Sequence, residues 1–308
     1  MPASNKQKLL TDVAAICGAE RLRGIIRRMP LLTFTSLVFL GSFFAGLLGA
    51  LTGLGGAVVL IPLLTLGFHV DMRYAIGASL ISVIATSSGA AAAYVREGYS
   101  NVRIGMFLEV ATTVGAVFGA FLATRVPTRA LAVIFGVVLL CSAWLSRNQN
   151  ADGEEVAAEN PWSDRLGMSG AYPDGPHGGR STYKVDRIRA GFALMFGAGT
   201  LSGLLGIGSG AVKVLAMDKI MGIPFKVSTT TSNFMIGVTA AASAGIYLSR
   251  GYVNPGLAFP VMLGVLVGSL LGAKVLVHSR VSLLRNIFGL VIAALGIEMI
   301  VNGWLGKV

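Results

Sequence analysis

A chain of 308 residues with 54% hydrophobic and only 13% charged residues lies far below the roughly 25% charged content of a soluble domain. Its mean hydropathy is +0.73, and several uncharged runs approach the roughly 20 apolar residues that one bilayer crossing needs. The net charge of +11 does not point to nucleic acid, because the basic residues fall in an N-terminal arm and in loops, as on cytoplasmic membrane flanks.

The fold class expected is therefore all-α: a polytopic helical protein of the cell membrane whose standing partner is the lipid bilayer. Cys17 and Cys141 sit in unrelated segments, and His69, His177 and His278 are scattered. Neither a disulfide framework, a metal site nor a cofactor is expected.

Residues 1–30 form a basic arm carrying Lys6, Lys8, Arg21, Arg23, Arg27 and Arg28. The arm is either an interfacial helix on anionic lipid or a tail that only sets orientation. Either way the N-terminus is expected in the cytoplasm.

From Leu31 to Phe68 no residue is charged, which is too long for one crossing and short for two. Gly53, Gly55 and Gly56 stand where the first helix should end, since each Gly lowers helix stability by about 1 kcal/mol relative to Ala. A second segment is predicted to restart through Val58–Leu66. Broken backbone at membrane depth survives only against protein or a water-filled cavity, and bare N–H groups at a helix start attract anions. Three cleaner spans follow, roughly Tyr74–Val95, Ile104–Thr124 and Ala130–Ser146, completing a first repeat over 31–146. Residues 147–188, with Pro161, Pro173 and Pro176 and a Gly-rich stretch, read as a flexible linker.

The pattern then begins again over 189–308. Gly53, Gly55, Arg73 and Ser79 recur 153 positions later as Gly206, Gly208, Lys226 and Ser232. Tyr94, Gly98, Tyr99 and Asn101 recur as Tyr247, Gly251, Tyr252 and Asn254, and Gly115, Gly119, Phe135 and Gly136 as Gly268, Gly272, Phe288 and Gly289. Internal duplication with discontinuous helices at the repeat interface marks secondary transporters. Glycines four apart, at 115 and 119 and at 264, 268 and 272, are a packing signal.

The halves differ in polarity. Lys213, inside the second break Gly206-Ile207-Gly208-Ser209-Gly210, aligns with Leu60. It either adds charge to an anion site, snorkels to the interface or pairs with Asp218. The hydroxyl run before Asn233 includes Thr231 and Ser232, of which the first half keeps only Ser79. These groups either donate to an anion or cap a helix. Glu109 and Glu298 are the acids best placed to carry a coupling proton, although both lie near predicted helix ends. No nucleophile–base pair or carboxylate dyad is present, so no enzyme is expected.

Gly53-Leu54-Gly55-Gly56 followed by Ile61-Pro62-Leu63-Leu64 resembles the repeat motif of the sulfite exporter TauE/SafE family. Gly206-Ile207-Gly208-Ser209-Gly210 with Thr231-Ser232-Asn233 resembles its second copy. Ala57 stands where a third Gly is common, and Leu215 replaces the proline. The resemblance implies a permease for sulfite, sulfonates or related small anions, in many cases an exporter. A channel or a structural partner without transport of its own is the alternative, and a homo-oligomer is compatible with either.

The expected substrate-binding residues are Gly53, Gly55, Gly56, Ser79, Gly206, Gly208, Ser209, Gly210, Lys213, Thr231, Ser232 and Asn233. The shortness of Val58–Phe68 favours about eight spanning helices in two parallel repeats, with the breaks re-entrant and the linker cytoplasmic. A full crossing by each broken segment would instead make five crossings per repeat, inverted repeats and an external linker.

Overall fold

The structure, a computed structural model, describes residues 31–52, 56–96, 100–147, 168, 170–174, 179–276 and 281–306. The basic arm, Gly53, Gly55 and the first part of the linker lie outside the described residues. Among those described, the first half contains α1 (Leu31–Thr52), α2 (Ala57–Pro62) with a π-helical turn at Leu63–Gly67, α3 (Met72–Arg96), α4 (Val102–Ala123) and α5 (Thr128–Arg147). The second contains α6 (Ile188–Leu205), α7 (Gly210–Leu215) with a π-helical turn at Ala216–Ile220, α8 (Phe225–Ser249), α9 (Pro255–Leu276) and α10 (Val281–Trp304). Eight helices are long and two are short, and the starts of α2, α3, α4 and α5 recur 153 residues later as the starts of α7, α8, α9 and α10.

Hydrophobic periodicity explains how these helices face. On α4, Met106, Val110, Val114 and Phe118 point outward and are exposed, while Ile104, Leu108, Ala111 and Ala116 are buried. An outward apolar stripe at a spacing of four suits lipid. Three helices, Val102–Ala123, Ile188–Leu205 and Pro255–Gly272, are long and apolar enough to cross a membrane by length and composition. Each long helix pairs mainly across the halves: α1 with α9, α4 with α6, α3 with α8 and α5 with α10. Glycine makes the approaches close. Gly115 lies against the Phe196 carbonyl and Gly268 against that of Phe43; Gly46 meets the Val265 backbone and Gly199 that of Thr112. The members of each pair of contacts are equivalents under the repeat, so the two halves clasp each other reciprocally.

Those contacts also give the helix directions. Thr112 meets Gly199 and Ala116 meets Gly203, so α4 and α6 run parallel. Gly105 meets Thr231 and Glu109 meets Thr239, so α4 and α8 run parallel too. Hence α6 and α8 point the same way, and the broken segment between them must carry the chain back. In the first half the return is direct: Gly46 faces Gly56, Gly41 faces Leu63, and the Phe34 and Phe68 rings meet edge-on at 6.0 Å. Equivalent helices meanwhile oppose each other. Ser87 meets Gly237 across α3 and α8, with Gly77 against Tyr252 just past the end of α8, and Gly136 meets Gly296 across α5 and α10, with Arg129 against Gly306 just past the end of α10. The halves are thus antiparallel units, and the parallel arrangement expected above does not describe this structure. Length misled: α2 and its π turn span only about 16 Å at 1.5 Å per residue, but α1 need not be traversed end to end for the chain to return.

The stretch read as a flexible linker contains a hairpin, β1 (Gly170–Asp174) antiparallel to β2 (Gly179–Tyr183). Asn101 Nδ2, at the head of α4, donates to the Tyr183 hydroxyl at 2.7 Å and to the Met168 carbonyl at 3.3 Å. Met168, Tyr183 and Val185 are buried with Met217, Met221 and Ile223. Burial raises the Tyr183 phenol above its ordinary value, the Asn101 bond acting in the opposite direction. The hairpin therefore packs on the end of the bundle where α4, α6 and α8 begin, opposite the start of α1.

A topology measurement follows. In a background lacking Cys17 and Cys141, Ala171→Cys and a reporter fused before Met1 should sit on opposite sides of the membrane when tested with an impermeant thiol reagent in intact cells. Finding both on one side would contradict the antiparallel arrangement.

Candidate functional site

The second break is built from left-handed backbone. Gly206 (φ 69°) ends α6, its N–H donating to the Ser202 carbonyl at 2.8 Å, as glycine commonly does at a helix C-terminus. Gly208 (φ 73°) follows, and then Ser209 at φ 44°, a conformation that costs a non-glycine residue about 1–3 kcal/mol. Ser79 reaches across from α3 and donates to the Gly206 carbonyl at 2.6 Å. Ser232 Oγ donates to the Gly210 carbonyl at 3.3 Å. Gly208 packs against Val83 and Ile236, close to the mid-length of α3 and α8. The break is therefore held in the centre of the bundle by both halves.

Two hydroxyls beside the break, those of Ser202 and Ser209, are left over, and Ser209 is the one on the pocket. It is buried, and its hydroxyl has no hydrogen-bond partner among the described residues. It lines a small pocket with Gly210 and Val212 of its own half and Val58, Val138 and Ser142 of the other.

Lys213, one residue past Val212, is 0% exposed. It neither snorkels nor pairs with Asp218, which lies 3.6 Å from Lys219 instead. Its Nζ donates to Thr239 Oγ1 at 2.5 Å and stands 3.9 Å from Glu109 Oε2. Glu109 is buried. Thr239 donates to Glu109 Oε1 at 2.7 Å, Thr112 to Oε2 at 2.9 Å and Thr113 to Oε1 at 3.1 Å. Three hydroxyls and one ammonium thus surround a single carboxylate, as a buried charge requires. Ion pair and break share one face of α8, along Ser232, Ile236 and Thr239.

The other expected site residues divide. Gly56 packs on Gly46 and Val265. Thr231 accepts from the Asn101 backbone N–H at 3.1 Å and so braces the head of α4. Asn233 is half-buried on α8. Glu298 is exposed. The sequence reading missed Thr239, Thr112 and Thr113. Glu109 with Thr112 and Thr113 at i+3 and i+4 carries a usable signal, because that spacing stacks side chains on one helix face.

Residues 38–299 match the model of the sulfite exporter TauE/SafE family. The chain belongs to that family. The TauE/SafE chain is 28% identical over 279 residues to the probable membrane transporter protein YunE of Bacillus subtilis, covering 88% of this chain and 99% of the relative. It is 30% identical to YdhB of the same organism over 77% of this chain and 89% of the relative. A probable membrane transporter protein of Methanocaldococcus jannaschii, MJ0441, is 25% identical over 88% and 96% respectively. No solved structure matches. These findings identify a membrane transporter.

The buried pair has a measurable signature. Lys213→Met breaks the buried pair with Glu109, and losing one partner of such a pair costs about 3–5 kcal/mol. Adding Glu109→Gln removes the orphaned partner and should restore most of the loss. Apparent melting temperatures of the single and double variants in detergent check this, and additive losses would contradict the pairing.

Proposed function

We propose that this transporter is a secondary permease for small sulfur-containing anions, sulfite or organosulfonates, and that the anion binds at the second glycine break. The observation that carries the proposal is Ser209, a strained, buried residue whose hydroxyl has no partner among the described residues and lines a pocket between the two halves. An anion there would accept from Ser209 and from N–H groups freed by the break, with the Lys213 charge one turn away in a low-dielectric surrounding. Gly206, Gly208 and Gly210 supply the backbone shape, while Ser79 and Ser232 hold it. The equivalent break in the first half contributes Val58 to the pocket wall. The family name supports the choice of sulfur oxyanions, and the apolar outer faces support a multi-pass location in the cell membrane, with the basic N-terminus in the cytoplasm. Each half then crosses five times, the short broken segments included.

Uptake into proteoliposomes with a panel of sulfite, sulfate and alkyl sulfonates tests the reading; saturable uptake of a sulfur anion is expected. Gly208→Val forces a branched side chain into left-handed backbone against Ile236. It should lower uptake more than about tenfold, equivalent to about 1.4 kcal/mol, while membrane insertion is retained. Wild-type uptake in this variant would remove the break from the mechanism. Non-saturating flux would identify a channel, and no flux of any anion would leave an assembly role.

A further inference from the structure

Glu109 and Lys213 have uncharged equivalents in the opposite repeats, Met262 and Leu60. Neither charge is therefore demanded by the duplicated frame, yet the two meet in the bundle interior across the halves. We infer that Glu109 is the proton-coupling site of the transporter: it takes up one proton as Lys213 is transferred to the anion. The inference rests on the anion site proposed above.

The hydrogen-bond network supports two states. A threonine hydroxyl has one proton to donate. The proton of Thr239 now has the choice of Glu109 Oε1 at 2.7 Å or the Met235 carbonyl at 2.9 Å. The proton of Thr112 has the choice of Glu109 Oε2 at 2.9 Å or the Leu108 carbonyl at 3.3 Å. When a proton from water adds to a Glu109 oxygen, the new O–H donates to Thr239 or Thr112. The threonine then turns its own proton to the backbone carbonyl. Ionised and protonated Glu109 are both satisfied, and neither state leaves a buried polar group without a partner.

Charge balance sets the stoichiometry. An uncompensated charge in this interior is costly, so the site tolerates Lys213⁺ with Glu109⁻, or Lys213⁺ with a monoanion and neutral Glu109. Exchanging one state for the other brings in one proton per monovalent anion and is electroneutral. Among the described side chains, the remaining titratable groups on the elements around Glu109 sit near element ends. They are Arg103 on α4, Arg189 on α6, Asp218 and Lys219 in the π turn after α7, Lys226 and Tyr247 on α8, and Tyr172 and Tyr183 in the hairpin.

The test is calorimetric titration of the detergent-purified full chain with methanesulfonate and with sulfite, in two buffers of different ionisation enthalpy. The proton count is read from methanesulfonate, which stays fully ionised and exchanges no proton of its own, and sulfite serves to show binding. Wild type should take up about one proton per anion bound, in keeping with the charge balance. In Glu109→Gln, whatever anion still binds should bring none. Glu109→Asp should keep the uptake with a shifted pH midpoint, and it decides the matter if Glu109→Gln does not survive purification. Anion binding by wild type without proton uptake would overturn the inference alone. So would full uptake in Glu109→Gln, or an unshifted midpoint in Glu109→Asp. Absence of any anion binding by wild type would overturn the anion site, and this inference with it.

Discussion

Lipid offers no hydrogen bonds, so every peptide group at membrane depth must be satisfied by protein or by enclosed water. The glycine break is the part of this chain that most severely strains that rule, and the rest of the bundle is arranged to meet it. Ser79 takes the Gly206 carbonyl and Ser232 that of Gly210. The helices supplying them, α3 and α8, pass the break near their middles. Those helices reach the centre because the outer pairs, α1 with α9 and α4 with α6, close over glycines on each other's backbones. Small residues in the outer contacts and polar residues in the inner ones are thus two parts of one solution. Ser209, like Ser202 one turn before the break, has a buried hydroxyl without a partner among the described residues, and open donors beside a pocket suit a ligand that comes and goes.

Duplication supplies the frame and divergence supplies the chemistry. Gly115 and Gly268, or Gly46 and Gly199, perform equivalent packing tasks in the two halves, because close backbone approach is needed twice in an antiparallel pair. The polar features behave differently. Lys213 faces Glu109 where the repeat would place Leu60 and Met262, and the hairpin of residues 170–183 covers one end of the bundle only. Packing obeys the pseudo-twofold relation; charge does not. A symmetric bundle has equivalent energies for its two faces, and asymmetric charges and a one-sided cap are what make those faces differ for a substrate moving between them.

Much of this was legible in the chain itself. Apolar runs, glycine spacing and a constant offset of 153 residues identified the helical class, the duplicated order and the two breaks. All of these depend on helix periodicity or on matching one stretch with another. Glu109 with Thr112 and Thr113 was equally local, but its meaning was hidden, because a carboxylate two turns from a helix start reads as interfacial until its depth is known.

The sequence by itself determined where helices form and where they fail, since propensity and burial of an apolar face act over a few residues. Tertiary structure alone decided the helix directions, because a short broken segment can turn back at half depth or carry the chain across, and its composition suits both. It also decided the partner of Lys213. Thr239 and Glu109 lie 26 and 104 residues away along the chain, and no local pattern specifies which of several acids a buried ammonium meets. That choice belongs to the packing of α4 against α8, where the cost of an unpaired charge in a low-dielectric interior selects the arrangement that brings opposite charges together.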